Sequence, residues 1–337
     1  MEKYKTVIQT SGLAIGYKKG RREEVLNSRL DLSLYPGEVT SLLGVNGAGK
    51  STLLRTLAGF HPSLEGEINI LGRDYASIKA KELARMIGVV LTGKTMAGTL
   101  TVFDLVALGR HPYTGFFGRL QPEDRHSIGR AMQRSGIEGK ANSRIAELSD
   151  GERQKAMIAK ALAQECPIIL LDEPTAFLDV TSRIELMILL RELAVDEGKS
   201  ILLSTHDIEL ALALSDRIWL LEKYEGVTCG VPEDLVLNGA VDACFSRGTI
   251  RFDNTNGRLG YMVEGTRPAF IEGGAVQRYW LANALKRHGY AVADTPEGAL
   301  LHIRWSSAGA PIVLLPAGGK EQTFSTVEKM IEAVKLL

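Results

Sequence analysis

The chain reads as an α/β fold built on a parallel sheet, and three observations predict it. Short apolar runs at Val39–Leu43, Ile168–Leu171 and Ser200–Ser204 have the length and bounds of buried strands. Helical patterns alternate with them, as layered α/β architecture requires. Each run stops at a polar cluster: Gly44–Ser51, Asp172-Glu173-Pro174 and Thr205-His206-Asp207. In parallel sheets chemistry gathers beyond the carboxyl ends of strands, so all three clusters are placed where a site forms.

The 337 residues exceed one ordinary core and suit two domains. Residues 1–248 carry the α/β pattern. A helical insertion with glycine, proline and aromatic interruptions occupies about 92–147. From 249 to 337 a small accessory α/β domain follows, with strands near Tyr261–Val263, Tyr290–Ala293, Leu300–Arg304 and Ile312–Leu315. Its helices are expected to bury one face of Val276, Tyr279, Trp280 and Ala284 and another of Phe324, Val327, Ile331 and Val334. Pro316-Ala317-Gly318-Gly319-Lys320 lacks the preceding glycine of a phosphate loop and reads as a turn.

Lys+Arg 40 balances Asp+Glu 40, which gives no support to a nucleic-acid partner. Cys166, Cys229 and Cys244 are odd in number and lack metal-ligand spacing, so reduced thiols are expected. The start shows no apolar run of a secretory signal, and no stretch reaches the roughly 20 apolar residues of a membrane helix. Any service to a membrane is expected from its surface.

Gly44-Val45-Asn46-Gly47-Ala48-Gly49-Lys50-Ser51 fills the G-x-x-x-x-G-K-[ST] pattern. Its glycines let backbone N–H groups of Asn46, Gly47 and Gly49 approach phosphates without a Cβ in the way. Lys50 supplies a charge to the outer phosphates, Ser51 a hydroxyl for Mg²⁺, and the helix that begins there, with Thr52 in its first turn, an anion-favouring end. Asp172 and Glu173, delivered by an apolar strand, complement it. Asp172 suits a magnesium shell, and Glu173 suits orientation or deprotonation of an attacking water. Ser149 and Glu152 form an S-x-x-E capping box at the head of a helical pattern, itself an anion-facing end that includes Gly151.

With these motifs in order, the chain resembles the nucleotide-binding subunit of an ABC transporter, over roughly Thr6 to Asn238. LSDGERQ from Leu148 is similar to the family's signature, LLDEPTAFLD from Leu170 to its Walker B and D-loop, and STHD from Ser204 to its H-loop. The resemblance implies a P-loop NTPase core that hydrolyses ATP with Mg²⁺. It implies that Tyr17 stacks on adenine, that Asp179 communicates between sites, and that His206 contacts the γ-phosphate and the surroundings of the catalytic water. It also implies a head-to-tail pair with an identical copy, in which Ser149 of one chain closes on the nucleotide of the other. An integral-membrane permease and, indirectly, a substrate-binding protein complete the system at the cytoplasmic face of the inner membrane.

Two departures from the family stand out. Thr92 occupies the position of the glutamine that links Mg²⁺ to the permease, and Asp150 and Glu152 replace the usual glycine and glutamine. Asp150 is expected to point away from phosphate, since like charges repel. The segment Leu100–Thr114, containing LTV, VALGR and PYT, resembles an importer branch for iron–siderophore chelates, haem or vitamin B12, with Tyr113, Phe116 and Phe117 as expected permease contacts. Alternative readings are a soluble ABC ATPase on ribosomes or DNA, an exporter motor, and a P-loop kinase or switch GTPase. Single motif copies, the absence of a coiled-coil insertion and the signature speak against the soluble and kinase readings. No family motif is assigned to the tail.

Overall fold

The computed structural model describes residues 6–19, 22–91, 99–115, 118–261 and 265–337. The chain divides into two compact units, 1–246 with 252–259, and 247–251 with 260–337.

In the first unit the three expected strands form with the expected bounds; covered on both faces, they carry apolar residues and small hydroxyls and no charge. They lie in a six-stranded sheet ordered Gly226–Gly230, Arg217–Glu222, Val39–Leu43, Ser200–Ser204, Ile168–Leu171, Ile87–Val90. All neighbours are parallel except the outermost pair, Arg217–Glu222 with Gly226–Gly230. Register sets the strand ends level: Leu42 faces Ser204, and Leu171 faces Leu203. The strand Ser200–Ser204 therefore stands between the strand leading to the glycine loop and the strand leading to Asp172. An antiparallel sheet, centred on Ile8–Lys19 between Arg22–Leu30 and Glu65–Ile70, shares a core with the parallel sheet through Ile8, Leu30, Ile70, Leu42 and Leu170.

The helical segment comprises Val102–Ala107, Pro122–Arg134 and Asp150–Ala163. Thr101 and Asp104 cap the first reciprocally, and Pro122 opens the second, where a missing N–H costs nothing. Val102, Val106, Ile128, Ala156 and Ala159 pack in one core with Ile169 and Leu171 of the sheet. Among the described residues no helix is long and apolar enough to cross a membrane.

The second unit holds a five-stranded sheet ordered Tyr290–Ala293, Arg267–Gly273, Leu301–Trp305, Ile312–Pro316, Gln322–Phe324. The first three strands are parallel and the last two join antiparallel. Three corrections arise here. Arg267–Gly273, an interior strand of this sheet, is not among the expected strands; Pro268 near its start and Gly273-Gly274 at its end are residue types that weaken a strand pattern. The helix Ala275–Lys286 buries Leu281, Ala284 and Leu285, whereas Val276, Tyr279 and Trp280 are 64%, 47% and 61% exposed. Both stripes satisfy helical spacing; the aliphatic one fits against Ala269 and Ile271 of the sheet. In Val327–Val334 the expected Ile331 and Val334 are buried with Met330, while Phe324 belongs to a strand. Residues 317–319 form the expected turn, with Gly319 N–H donating to Pro316 O.

Candidate functional site

The strand Val39–Leu43 delivers the glycine loop, whose Gly44, Gly47 and Gly49 have φ of 155°, 79° and 104°. A side chain at Gly44 would put a Cβ 2.3 Å from Leu221 O, so the loop's entry admits only glycine. Asn27, buried on the antiparallel sheet, donates to Ala48 O at 2.8 Å and accepts from Gly226 N–H at 3.1 Å. This clamp holds the loop's far side. The helix Lys50–Leu57 then begins, with Asn46 and Gly47 exposed at the loop's tip.

Lys50 is buried and donates to Gly44 O at 2.7 Å. Burial lowers its pKa below the ordinary lysine range, opposed by the charges of Glu173 and Asp172. Ser51 Oγ donates to Asp172 Oδ1 at 2.9 Å. Asp172, 2% exposed, accepts a second bond from Ser204 Oγ at 2.8 Å, and Ser204 Oγ accepts from Glu173 N–H at 2.8 Å. Glu173 sits at φ 46°, a left-handed conformation that is rare for a non-glycine residue. His206 Nε2 and Glu173 Oε1 are 2.6 Å apart. The fold thus joins Ser51, Asp172, Glu173 and His206 in one bonded chain, with Lys50 charge-coupled to its two carboxylates. Glu173, His206 and Arg183 line an open cleft of about 430 Å³.

Sequence reasoning missed the middle member of that chain. Ser204 closes its strand immediately before Thr205-His206, and alternation along the strand sends its hydroxyl toward the neighbouring carboxylate. Only the adjacency of the two strands gives that hydroxyl a meaning, and one sequence does not reveal adjacency. Asn27 was missed for the same reason.

Tyr17 lies on Ile8–Lys19 beside the glycine-loop helix, sharing a hydrogen bond with Thr52 Oγ1 at 2.8 Å and meeting His61 edge-on at 5.7 Å. Ser149 is exposed and caps Asp150–Ala163, its Oγ accepting from Glu152 N–H at 3.2 Å while Glu152 returns to Ser149 N–H at 3.0 Å. Glu152 also pairs with Lys140 at 3.1 Å, and these bonds, Ser149's first, hold its carboxyl below the usual range. Asp150 turns to Arg153 at 2.8 Å. Gly151 is next to Ser182, the residue whose N–H Asp179 accepts at 2.8 Å as the cap of Val180–Glu197. The signature turn and the Asp179 turn are therefore neighbours. Ser149, Gly151 and Asp179 form their bonds apart from the Lys50–His206 group. Thr92, Phe116 and Phe117 lie outside the described residues. Tyr113, expected as a permease contact, is half-buried and hydrogen-bonded to Gln164 O at 3.0 Å.

Comparison with known proteins identifies the family. Residues 27–176 match the family described as ABC transporter, and residues 266–335 match the iron ABC transporter C-terminal domain, a region to which sequence reasoning assigned no family motif. An uncharacterised ABC transporter ATP-binding protein of Methanocaldococcus jannaschii is 40% identical over 239 residues, 71% of this chain and 81% of that protein. The ferric enterobactin transport ATP-binding protein of Escherichia coli is 38% identical over 224 residues, 66% of this chain and 81% of that protein. A dimeric bacterial ABC transporter cassette superposes with a TM-score of 0.59 at 29% identity, covering 67% of this chain and 98% of that chain. With a relative 40% identical that this chain covers over 81% of its length, and with the glycine loop, paired carboxylates and histidine gathered at the ends of one parallel sheet, the chain is a member of the ABC transporter ATP-binding family.

Proposed function

We propose that this chain hydrolyses ATP at the group Lys50–Ser51–Asp172–Glu173–His206 and thereby energises import of an iron chelate through a partner permease. The observation that carries the hydrolytic reading is the bonded chain from Ser51 to His206 on three adjacent strands. The match of residues 266–335 to an iron transporter domain and the likeness to a ferric enterobactin system support the iron cargo.

The backbone of the glycine loop and Lys50 bind the triphosphate, with Tyr17 at the adenine. Glu173 accepts the proton of the attacking water or orients it, and His206 fixes the Glu173 carboxylate through their 2.6 Å contact. Ser51 and Asp172 fit Mg²⁺: a hydroxyl and one carboxylate already within 2.9 Å suit a hard cation that completes its shell with phosphate and water. There the ion would neutralise phosphate charge. Ser149 and the Gly151 backbone of a second copy close the site, and Asp150, occupied by Arg153, leaves that approach free of a bare carboxylate. Asp179, beside the signature turn, relays closure between the two sites. The permease is reached at the cytoplasmic face of the membrane, with a substrate-binding protein acting indirectly.

Expression of full-length Glu173→Gln, followed by affinity capture from membranes in Mg-ATP, tests the reading. Co-capture of a multi-span permease, lost on adding Lys50→Ala, is expected. A nucleotide-dependent capture of ribosomes or DNA instead, with no membrane protein, would overturn it.

A further inference from the structure

The helix Asp150–Ala163 has Ser149 at one end and an unusually polar fastening at the other. Arg110 is only 5% exposed, yet its guanidinium makes directional bonds in three directions: Nε to Asp124 Oδ1 at 2.8 Å, and Nη1 to Glu165 Oε2 at 2.8 Å and Ala163 O at 2.9 Å. Glu165, at φ 52°, also accepts from Ser127 at 2.9 Å and from Arg130 at 2.5 Å. Burial opposes the Arg110 charge, but the bonds from Asp124 and Glu165 outweigh it and raise its pKa.

Tyr113 adds a second layer. Two guanidiniums lie over its ring, Arg110 at 4.1 Å and Arg85 at 4.8 Å, and Arg85 donates to Pro112 O at 3.0 and 3.2 Å. Its hydroxyl donates to Gln164 O, and the Gln164 amide donates to Ile87 O at 2.9 Å and to Ala84 O. Gly109 lets this turn sit against the helix, since a Cβ there would lie 2.2 Å from Lys160 O. One end of the helix is thus bonded both to Pro122–Arg134 and to the start of the sheet strand Ile87–Val90.

Hydrophobic packing alone could hold these helices together; a buried arginine with two carboxylates is a costly alternative that specifies one orientation. Orientation matters because the helix is a lever. Its 14 residues span about 21 Å, so a tilt of about 5° at the fastened end moves Ser149 by about 2 Å. We propose that Arg110 and Tyr113 are positioning residues that fix the tilt of this helix relative to the strand Ile87–Val90, and so set where Ser149 is presented to a second copy. The proposal rests on the reading that Ser149 closes on a second copy's nucleotide.

The test uses the full chain carrying Glu173→Gln, with Arg110→Lys, Arg110→Met or Tyr113→Phe added. Fluorescent-nucleotide affinity is measured at a protein concentration too low for pairing, Mg-ATP-driven dimerisation by light scattering over a concentration series, and folded fraction by circular dichroism. Nucleotide affinity of the separate chain is expected to be unchanged, because the glycine loop lies elsewhere. Dimerisation is expected to weaken by about ten-fold for either Arg110 substitution, within the usual range of intersite coupling, and by less for Tyr113→Phe. Should Arg110→Met fail to fold, Arg110→Lys and Tyr113→Phe, which keep the charge or the ring, decide the matter. Dimerisation equal to the parent's, or reduced only in proportion to lost folded protein, would overturn the proposal. A parent that never dimerises would instead remove the reading beneath it, and this inference with it.

Discussion

Replacing Ser204 by alanine removes a hydroxyl that connects the Asp172 carboxylate to the Glu173 backbone. Ser204 Oγ donates to Asp172 Oδ1 and accepts from Glu173 N–H, both at 2.8 Å, in a fully buried position. Loss of a hydrogen bond to a charged group costs about 1.5–3 kcal/mol, and a stranded N–H adds about 1 kcal/mol, so about 2.5–4 kcal/mol is expected. No atom is overpacked, so the loss is not a steric artefact. Glu173 is also released from one of the bonds that hold its left-handed backbone, and displacement of about 1 Å at a reacting group lowers turnover by about a hundred-fold. Nucleotide affinity is expected to change little, because Lys50 and the glycine loop keep their contacts. Urea unfolding followed by Trp219 fluorescence, in a Trp280→Phe, Trp305→Phe background, isolates the first unit, and phosphate release measures turnover. A variant within about 0.5 kcal/mol of the parent and with undiminished turnover would refute the connection between these groups.

Three further outcomes follow from the site and its supports. Glu173→Gly and Glu173→Ala are both expected to abolish phosphate release, but the glycine variant to be about 1 kcal/mol more stable in urea, because glycine adopts φ 46° without steric cost. Lys50 has a pKa below the ordinary lysine range, and bound triphosphate restores it. At alkaline pH below the ordinary lysine value of about 10.4, ATP binding is therefore expected to take up protons, detectable by calorimetry in buffers of different ionisation enthalpy, and to weaken as pH rises further. Asp124 is held below the usual carboxylate range, first by Gln121 N–H, with Arg110 contributing. Its folded pKa is below its unfolded value of about 3.9, so its stabilisation is present above that pH and is lost as pH falls through the lower folded value. Asp124→Asn is expected to flatten the acid limb of stability, read as unfolding midpoint against pH.

The fold class was legible because Val39–Leu43, Ile168–Leu171 and Ser200–Ser204 are buried on both faces, so their sequences are apolar or small and carry no charge. Lys50, Asp172, Glu173 and His206 were legible because each stands in a short local motif at a strand end. What escaped notice depends on contacts far apart in sequence. Ser204 gains its role only beside Asp172, and Arg110 only when Asp124 and Glu165 fold against it. In the second unit, Pro268 weakens the strand pattern of an interior strand, and two stripes of equal periodicity compete on Ala275–Lys286. The brighter aromatic stripe is the exposed one, because the sheet offers room for Leu281, Ala284 and Leu285 instead.

The most direct measurement is the light-scattering mass of the full-length Glu173→Gln chain with and without Mg-ATP. A shift from 36.7 kDa to twice that value, abolished by Ser149→Arg although each chain still binds nucleotide, is the predicted result. A chain that binds Mg-ATP yet keeps the mass of a monomer, or a pair indifferent to Ser149→Arg, would contradict a site shared between two copies.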